Sequence, residues 1–182
     1  GRAVCDAIRD DEALTIEANM ALAWKRGAKR GFHFSLTKPL RELFREKLSI
    51  LKLGLENRLA DRIGLLSGGQ RQAVSLLMAS LQPSRILLLD EHTAALDPKT
   101  AAFVLELTAT IVEQSQLTAM MVTHSMRQAL DYGSRTVMLH QGRVILDVEG
   151  PQRAGMGVPD LLHMFETTRG EQLDDDKLLL AA

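Results

Sequence analysis

Two short apolar runs with a helix-forming segment between them constrain the fold more than any other feature. The first run is Arg85-Ile-Leu-Leu-Leu-Asp90, and the second is Leu117-Thr-Ala-Met-Met-Val122. Between them, Asp97-Pro98 has the residue types of a helix N-cap and first helical position, and the helix is expected to continue to about Gln114. This order predicts a right-handed crossover unit in a parallel sheet, with each strand buried on both faces. The predicted fold class is therefore α/β.

The chain before this unit has the pattern of a helical subdomain. Apolar spacing predicts one helix from Leu14 to about Trp24, and Pro39 can open another that runs to about Leu53. Residues 25–58 carry ten Lys or Arg against three Glu. Such a stretch is either a nucleic-acid or lipid patch or the solvated face of helices. Few aromatic residues interleave the charges and no nucleic-acid motif occurs, so the solvated face is favoured and no nucleic-acid partner is expected.

Paired glycines precede a third predicted helix. In Leu65-Leu-Ser-Gly-Gly-Gln-Arg-Gln72, Ser67 can cap the helix and Gln70 stands at capping-box spacing. The Ser67 hydroxyl, the unobstructed amides of Gly68 and Gly69, and the positive helix end together suit an anion. The 182 residues contain no Gly-Lys pair, so the lysine of a phosphate-binding loop is missing. Taken alone, the motif is better explained as a capped helix after a flexible turn.

Beyond the second strand the chain is organised in short elements. A helix from about Met126 to Tyr132 is expected, and then a hairpin of residues 135–140 and 143–148 around Gln141-Gly142. A short helix near residues 159–165 precedes an acidic tail that we expect to be frayed. The predicted divisions are a helical subdomain ending in the glycine-loop helix (1–82), the carboxyl-terminal part of an α/β core (83–150), and a terminal helix with an acidic tail (151–182).

Polar residues follow both predicted strands, where ligands gather in parallel α/β sheets. Asp90 and Glu91 end the first strand, and His124 comes two residues after the second. One carboxylate of such a pair can hold Mg²⁺ while the other orients and deprotonates an attacking water. His124 could donate to a terminal phosphate. Each feature alone also has a structural explanation: an acidic pair leaving a strand for solvent, a hydrogen-bonded loop histidine, and, for Asp97, a helix cap.

Composition excludes several classes of protein. The net charge of −1 gives no overall field that favours nucleic acid or an anionic membrane. The single Cys5 excludes an internal disulfide and fits a reducing compartment. The apolar runs fall far short of the roughly 18 residues that a membrane span needs. The chain begins with Gly1 in a polar stretch, which leads us to expect a cut through a longer protein.

The polar features occur in a diagnostic order. Leu66-Ser-Gly-Gly-Gln70, Arg85–Glu91, Ala94-Ala-Leu-Asp97 and Val122-Thr-His124 resemble the signature motif, Walker B strand, D-loop and switch histidine of the ATP-binding-cassette (ABC) ATPases. The resemblance covers most of residues 14–150. It implies a P-loop NTPase-like (RecA-like) fold with a mostly parallel sheet and an α-helical subdomain. The Walker A loop, the Q-loop glutamine and the adenine-stacking aromatic are not identifiable, so an N-terminally truncated ATPase is expected.

The resemblance also implies roles for individual residues. Asp90 resembles the residue that supports Mg²⁺, Glu91 the general base, and His124 the residue that contacts the γ-phosphate of ATP. Asp97 looks like the residue that communicates across a dimer interface. The signature residues, which would close over ATP bound by a partner subunit, are Ser67, Gly68, Gly69 and Gln70. Glu91-His92 departs from the family's more usual Glu-Pro, while the acidic pair is intact.

The implied cofactors are ATP and Mg²⁺. The implied partners are a second nucleotide-binding subunit, an integral membrane permease and a substrate-binding protein, with the chain in the cytoplasm on the inner face of the membrane. The segment Asp90-Glu-His-Thr-Ala-Ala-Leu-Asp-Pro-Lys-Thr100 resembles the corresponding segment of bacterial importer ATPases for amino-acid-type solutes. Without Walker A, the isolated chain is expected to show no ATPase. Two alternatives stay open: a soluble cassette protein, and a non-catalytic remnant that lends its signature loop to a complete partner.

Overall fold

The computed structural model describes residues 10–25, 36–82, 84 and 86–167. The chain divides between Val122 and Thr123 into two compact units. The described part of the first unit contains α1 (Ile16–Trp24), α2 (Lys38–Ser49), α3 (Gly68–Ser80), β1 (Ile86–Asp90), α4 (Pro98–Gln114) and β2 (Thr118–Val122). Short 3-10 turns at Leu55–Asn57 and Ile63–Leu65 lead into α3.

The helices of the first unit surround one apolar core. Ile16 and Met20 of α1 and Phe44 and Leu48 of α2 are fully buried in it. Helix α2 has the predicted proline in its first turn but ends at Ser49 rather than near Leu53, so the prediction of its end was wrong. The reason is a left-handed backbone at Lys52 (φ 54°), which a continuing helix does not tolerate. The other predicted helix limits of this unit agree within about two residues.

A buried amide joins the start of α1 to the segment before it. The side chain of Asn19, which is almost fully buried, accepts a hydrogen bond from the backbone NH of Asp11 (2.8 Å). Its amino group donates to the carbonyls of Asp11 (3.0 Å) and Thr15 (3.1 Å). Burial of a polar group costs little free energy when its hydrogen-bond partners are present. Asn19 therefore fixes the segment at Asp11 to helix α1 at little cost in stability.

The two strands of the first unit form the predicted parallel pair. They run in register from Ile86 opposite Thr118 to Asp90 opposite Val122. One face packs into the helical core through Leu87 and Leu89. On the other face the exposed large apolar residues are Leu88 (39%), Met120 (54%) and Val122 (46%). The prediction of burial on both faces was therefore wrong, because within the described residues only one face of this pair is covered by helices.

The second unit is built on the predicted hairpin. Its described elements are α5 (Met126–Asp131), β3 (Arg135–His140), β4 (Arg143–Glu149), α6 (Gly150–Ala154) and a helical stretch over residues 158–167. β3 and β4 are antiparallel, and both turn residues between them, Gln141 and Gly142, have positive φ (46° and 76°), as in a type I′ turn. The short helix α6 was not predicted. The core contains Leu146, Val148 and Leu161.

One arginine connects the elements of the second unit. Arg153 of α6 donates to the carbonyls at the end of α5, those of Ala129 (3.2 Å), Leu130 (2.7 Å) and Tyr132 (2.8 Å). Its Nε donates to the hydroxyl of Thr136 (2.8 Å), which in turn donates to the carbonyl of Ala129 (2.7 Å). The last carbonyls of a helix have no partner within the helix, so Arg153 supplies the missing donors for α5.

Some predictions lie outside the described residues. They concern Cys5 and the frayed tail beyond residue 167. The predicted divisions at 82/83 and 150/151 stay predictions. No helix in the described ranges is both long and apolar enough to cross a bilayer.

Candidate functional site

The acidic pair lies at the carboxyl end of the parallel strands, where it was predicted. Asp90 is the last residue of β1, and the amide of Glu91 donates to the carbonyl of Val122 at the end of β2 (3.1 Å). The chain then turns sharply, because Glu91 has a left-handed backbone (φ 44°) and its carbonyl accepts from the amide of Ala94 (3.0 Å). A left-handed conformation costs a non-glycine residue roughly 1–2 kcal/mol. Such strain is frequent at functional sites, where the surrounding structure holds it in place.

The two carboxylates have different surroundings. Asp90 is exposed, whereas Glu91 is half-buried. An exposed carboxylate oxygen at a strand end is the hard ligand that Mg²⁺ prefers, and Mg²⁺ completes its coordination with water and substrate phosphates. The donor chemistry of Asp90 therefore fits the expected ion.

His92 is held by helix α4. Its Nε2 lies 3.2 Å from the hydroxyl oxygen of Thr108, and that hydroxyl donates to the carbonyl of Val104 (2.8 Å). Since the single hydroxyl proton is already used, Nε2 of His92 must carry a proton and donate. Burial lowers the pKa of His92 below its ordinary value. The departure from Glu-Pro thus places an imidazole that ties the turn after Glu91 to α4.

The glycine loop caps helix α3 as predicted. The hydroxyl of Ser67 accepts from the amide of Gln70 (3.3 Å), and the side chain of Gln70 accepts from the amide of Ser67 (3.1 Å), which completes the capping box. Gly68 is exposed, but Gly69 is buried, so the expectation of two unobstructed glycines was wrong for the second. The exposed helix start retains the partial positive charge that attracts phosphate.

Asp97 lies next to this loop. Its carboxylate accepts from the amide of Thr100 (3.1 Å) and caps α4. Hydrogen bonds from the side chain and backbone of Thr100 lower the pKa of Asp97. A Cβ on Gly68 would lie 3.3 Å from Cδ2 of Leu96, and one on Gly69 would collide with Cγ2 of Thr100. The structure therefore brings the glycine loop and the Asp97 turn into contact.

His124 belongs to the second unit, where it is exposed in the loop before α5. The residues around it are fixed by hydrogen bonds. The hydroxyl of Thr123 donates to Oε1 of Gln128 (2.7 Å) and accepts from the amide of Ser125 (3.1 Å), and Ser125 caps α5. The residues on either side of His124, Thr123 and Ser125, are thus both held by hydrogen bonds.

The sequence did not point to two residues of this region, Thr100 and Thr108. Both act through contacts on α4 with residues far along the chain, Gly69 and His92. The only sequence signal for Thr108 was the histidine in place of proline, which needs a polar partner once it is half-buried. Nothing in the sequence indicated the contact of Thr100.

Comparison with known proteins agrees with these features. Residues 10–94 match the model of the family described as ABC transporter. The chain is 42% identical over 154 residues to the tyrosine transport ATP-binding protein of Clostridioides difficile (strain R20291), covering 85% of this chain and 61% of that protein. It is 33% identical over 150 residues to the aliphatic sulfonates import ATP-binding protein SsuB of Pectobacterium atrosepticum, covering 81% of this chain and 54% of the relative.

A solved structure shows the same fold. It is a dimeric, post-hydrolysis state of an ATP-binding cassette bound to ADP and Pi, with a TM-score of 0.60 and 29% identity, covering 80% of this chain and 61% of that one. The fold is thus that of the P-loop class of α/β ATPases. Within that class, the chain belongs to the ABC transporter family of ATP-binding proteins. It spans 61% of the length of the tyrosine relative.

Proposed function

We propose that this chain is part of an ATP-hydrolysing subunit that powers solute import across the cytoplasmic membrane. The observation that carries the proposal is the position of Asp90 and Glu91 at the carboxyl end of β1, joined to the end of β2 through the amide of Glu91. Ligands of parallel α/β sheets bind at that edge. Family membership supports the chemistry, and the name of the sulfonate relative, an import protein, supports the direction of transport.

In this proposal the strand-end residues act on the γ-phosphate of ATP. Asp90 would hold Mg²⁺, which neutralises phosphate charge when bound. Glu91 orients a water and takes its proton as the water oxygen attacks the γ-phosphorus, the bond to the β–γ bridging oxygen breaks, and ADP leaves. His124 donates to the γ-phosphate oxygens, where negative charge develops. The half-buried position of Glu91 favours the base role over direct metal binding, which suits the exposed Asp90.

The glycine loop serves the partner's nucleotide in this scheme. Ser67, Gly68, Gly69 and Gln70 present the positive end of α3 to the γ-phosphate of ATP that a second nucleotide-binding subunit holds, and Asp97 contacts that subunit beside it. The missing Gly-Lys pair fits this role, because the lysine comes from the other subunit. The membrane permease and a substrate-binding protein complete the proposed transporter, with this chain peripheral on the cytoplasmic side.

A complementation experiment tests the partner-facing role. The 182-residue chain is mixed with a complete relative, such as the tyrosine transport ATP-binding protein, whose own glycine loop has been disabled. We expect Mg²⁺-dependent ATP hydrolysis only in the mixture, and we expect Ser67→Ala to weaken it. Glu91→Gln is the matched control, because the partner supplies the base for its own ATP and turnover should persist. Absence of hydrolysis in the mixture would contradict the role of the loop.

The base role of Glu91 needs a different arrangement. In a chain joined to the relative's amino-terminal part, Glu91→Gln should lower the rate of hydrolysis by about 10²–10⁴ and leave ATP binding intact. Unchanged turnover would refute the assignment. The 182 residues alone should show no ATPase, and robust turnover by them would overturn the proposal that Walker A comes from outside this chain.

We also propose an amino-acid-type solute, supported by the name of the 42% identical relative. A membrane permease that co-purifies with this chain and takes up labelled tyrosine in vesicles would support it, and uptake of sulfonates instead would contradict it. Two alternatives have distinct outcomes. A soluble cassette protein would co-purify with no permease, and a non-catalytic remnant would hydrolyse ATP with a partner yet stay inactive after the amino-terminal part is restored.

A further inference from the structure

The amino-terminal ends of helices α3 and α4 are in direct contact through a glycine and a threonine. A Cβ built on Gly69 would fall well under 3.0 Å from Cγ2 of Thr100 and 3.7 Å from its Cβ. Real carbon atoms do not approach that closely, so any side chain at position 69 would collide with the methyl group of Thr100. Glycine at position 69 is thus required by packing inside this chain, apart from any need to approach a phosphate.

Thr100 links the contact at Gly69 to Asp97. The backbone amide of Thr100 donates to Oδ1 of Asp97 (3.1 Å), and Thr100 helps to hold the pKa of that carboxyl below its ordinary value. A threonine in a helix has two accessible χ1 rotamers, and a change between them moves the methyl group and the hydroxyl together. Relief of a collision at Gly69 would therefore move the side chain of Thr100 or the start of α4, which carries the amide bonded to Asp97.

We propose that Thr100 is a positioning residue that fixes the glycine loop 67–70 and the carboxylate of Asp97 relative to each other, so that the two segments act as one unit. Its methyl group sets the distance to the loop, and its backbone amide holds the carboxylate. This inference rests on the proposed function, in which both segments meet the partner subunit. A displacement of one segment is then transmitted to the other through a single residue.

A double-mutant cycle in the 182-residue chain tests the contact without nucleotide. The variants are Gly69→Ala, Thr100→Ser and the double variant, in which serine keeps the hydroxyl and lacks Cγ2. We expect Gly69→Ala alone to lower Tm by roughly 3–10 °C, because it overpacks a close contact. In the Thr100→Ser background most of that loss should disappear. Gly68→Ala is the matched control, because its nearest neighbour is the flexible end of Leu96 and Thr100→Ser should not change its effect.

A second measurement separates positioning from simple packing. NMR titration of the Asp97 carboxyl should show its pKa rise toward the ordinary value in Gly69→Ala and return in the double variant. If the effects of Gly69→Ala and Thr100→Ser on Tm simply add, the proposal is overturned. It is also overturned if the two effects on Tm are not additive but the pKa of Asp97 is the same in every variant. If Gly69→Ala does not fold alone, recovery of folded protein in the double variant supports the contact and continued misfolding contradicts it.

These outcomes are independent of the proposed ATP chemistry. If the double-mutant cycle shows coupling but the complementation experiment fails, the link through Thr100 stands and only its use in hydrolysis is removed. If complementation succeeds but the cycle shows no coupling, the proposed function stands and the link through Thr100 is removed.

Discussion

The helical core of the first unit and its strand pair carry different parts of the proposed site, and they are packed very differently. Helices α1 and α2 bury whole side chains such as Phe44 and Leu48 among their neighbours, and α3 begins in a closed capping box. The strand pair ends in Asp90, directly before Glu91, yet one face of the pair exposes Leu88 and Met120. A helix satisfies its own hydrogen bonds and needs one apolar face, whereas a strand depends on neighbours from elsewhere in the sequence.

This difference suggests that stability and chemistry are separated in the first unit. The glycine loop stands on the well-packed part, so its geometry is determined by contacts within the described residues. The acidic pair lies at the carboxyl end of strands that helices cover on one face only. Its geometry depends on the pairing of β1 with β2 and on the turn that His92 ties to α4. Substitutions should therefore affect the two parts unequally.

The largest expected contrast is between a core residue and a residue on the open strand face. Phe44→Ala should lower the free energy of unfolding by about 3–5 kcal/mol, because it removes a fully buried ring. Leu88→Ala should cost less than about 1 kcal/mol, because Leu88 is already 39% exposed. Urea unfolding followed by circular dichroism measures both. Equal losses would mean that the strand face is buried in solution and would remove the contrast.

A smaller effect is expected at the start of α3. Ser67→Ala removes the cap of the glycine-loop helix and should cost about 1 kcal/mol, whereas Ser67→Thr keeps the hydroxyl and should cost much less. The same unfolding experiment checks the difference. If Ser67→Ala and Ser67→Thr lower the free energy of unfolding equally, the capping box does not contribute to the stability of the helical core.

The smallest effect concerns pH and the turn after Glu91. Burial lowers the pKa of folded His92 below its ordinary 6.5, so in the window between the two values the unfolded chain binds the proton more strongly. The free energy of unfolding should therefore fall as pH decreases through about 6.5 and level off below the folded pKa. His92→Gln should remove this component, which unfolding at pH 5 and pH 7.5 would detect. An identical pH dependence in the variant would show that the imidazole is solvated.

Local signals predicted most of the elements. The capping residues Ser67 and Asp97 were identified from their spacing, and the hairpin was identified from Gln141-Gly142, because these signals act within a few residues of the chain. Long-range packing could not be predicted in this way. The open face of β2, the contact of Gly69 with Thr100 and the donors of Arg153 all depend on which distant residues meet in space.

The candidate site was recovered from the order of its motifs rather than from their geometry. The sequence indicated that Asp90 and Glu91 would end a strand, and the structure adds the reason the chain turns there, a left-handed Glu91 tied to Val122. Such a turn could not be inferred from glutamate, which has no preference for positive φ. Departures from local preference of this kind are expected at functional positions.

Arg153 of α6 limits how far the chain can be shortened from its carboxyl end. A shortened chain that stops at Glu149 would keep every motif residue, including His124, and would discard Arg153. The carbonyls of Ala129, Leu130 and Tyr132 would then lose their charged donor, and the helix that follows His124 would begin to unwind from its far end. The last motif is therefore a poor guide to the boundary of the folded protein.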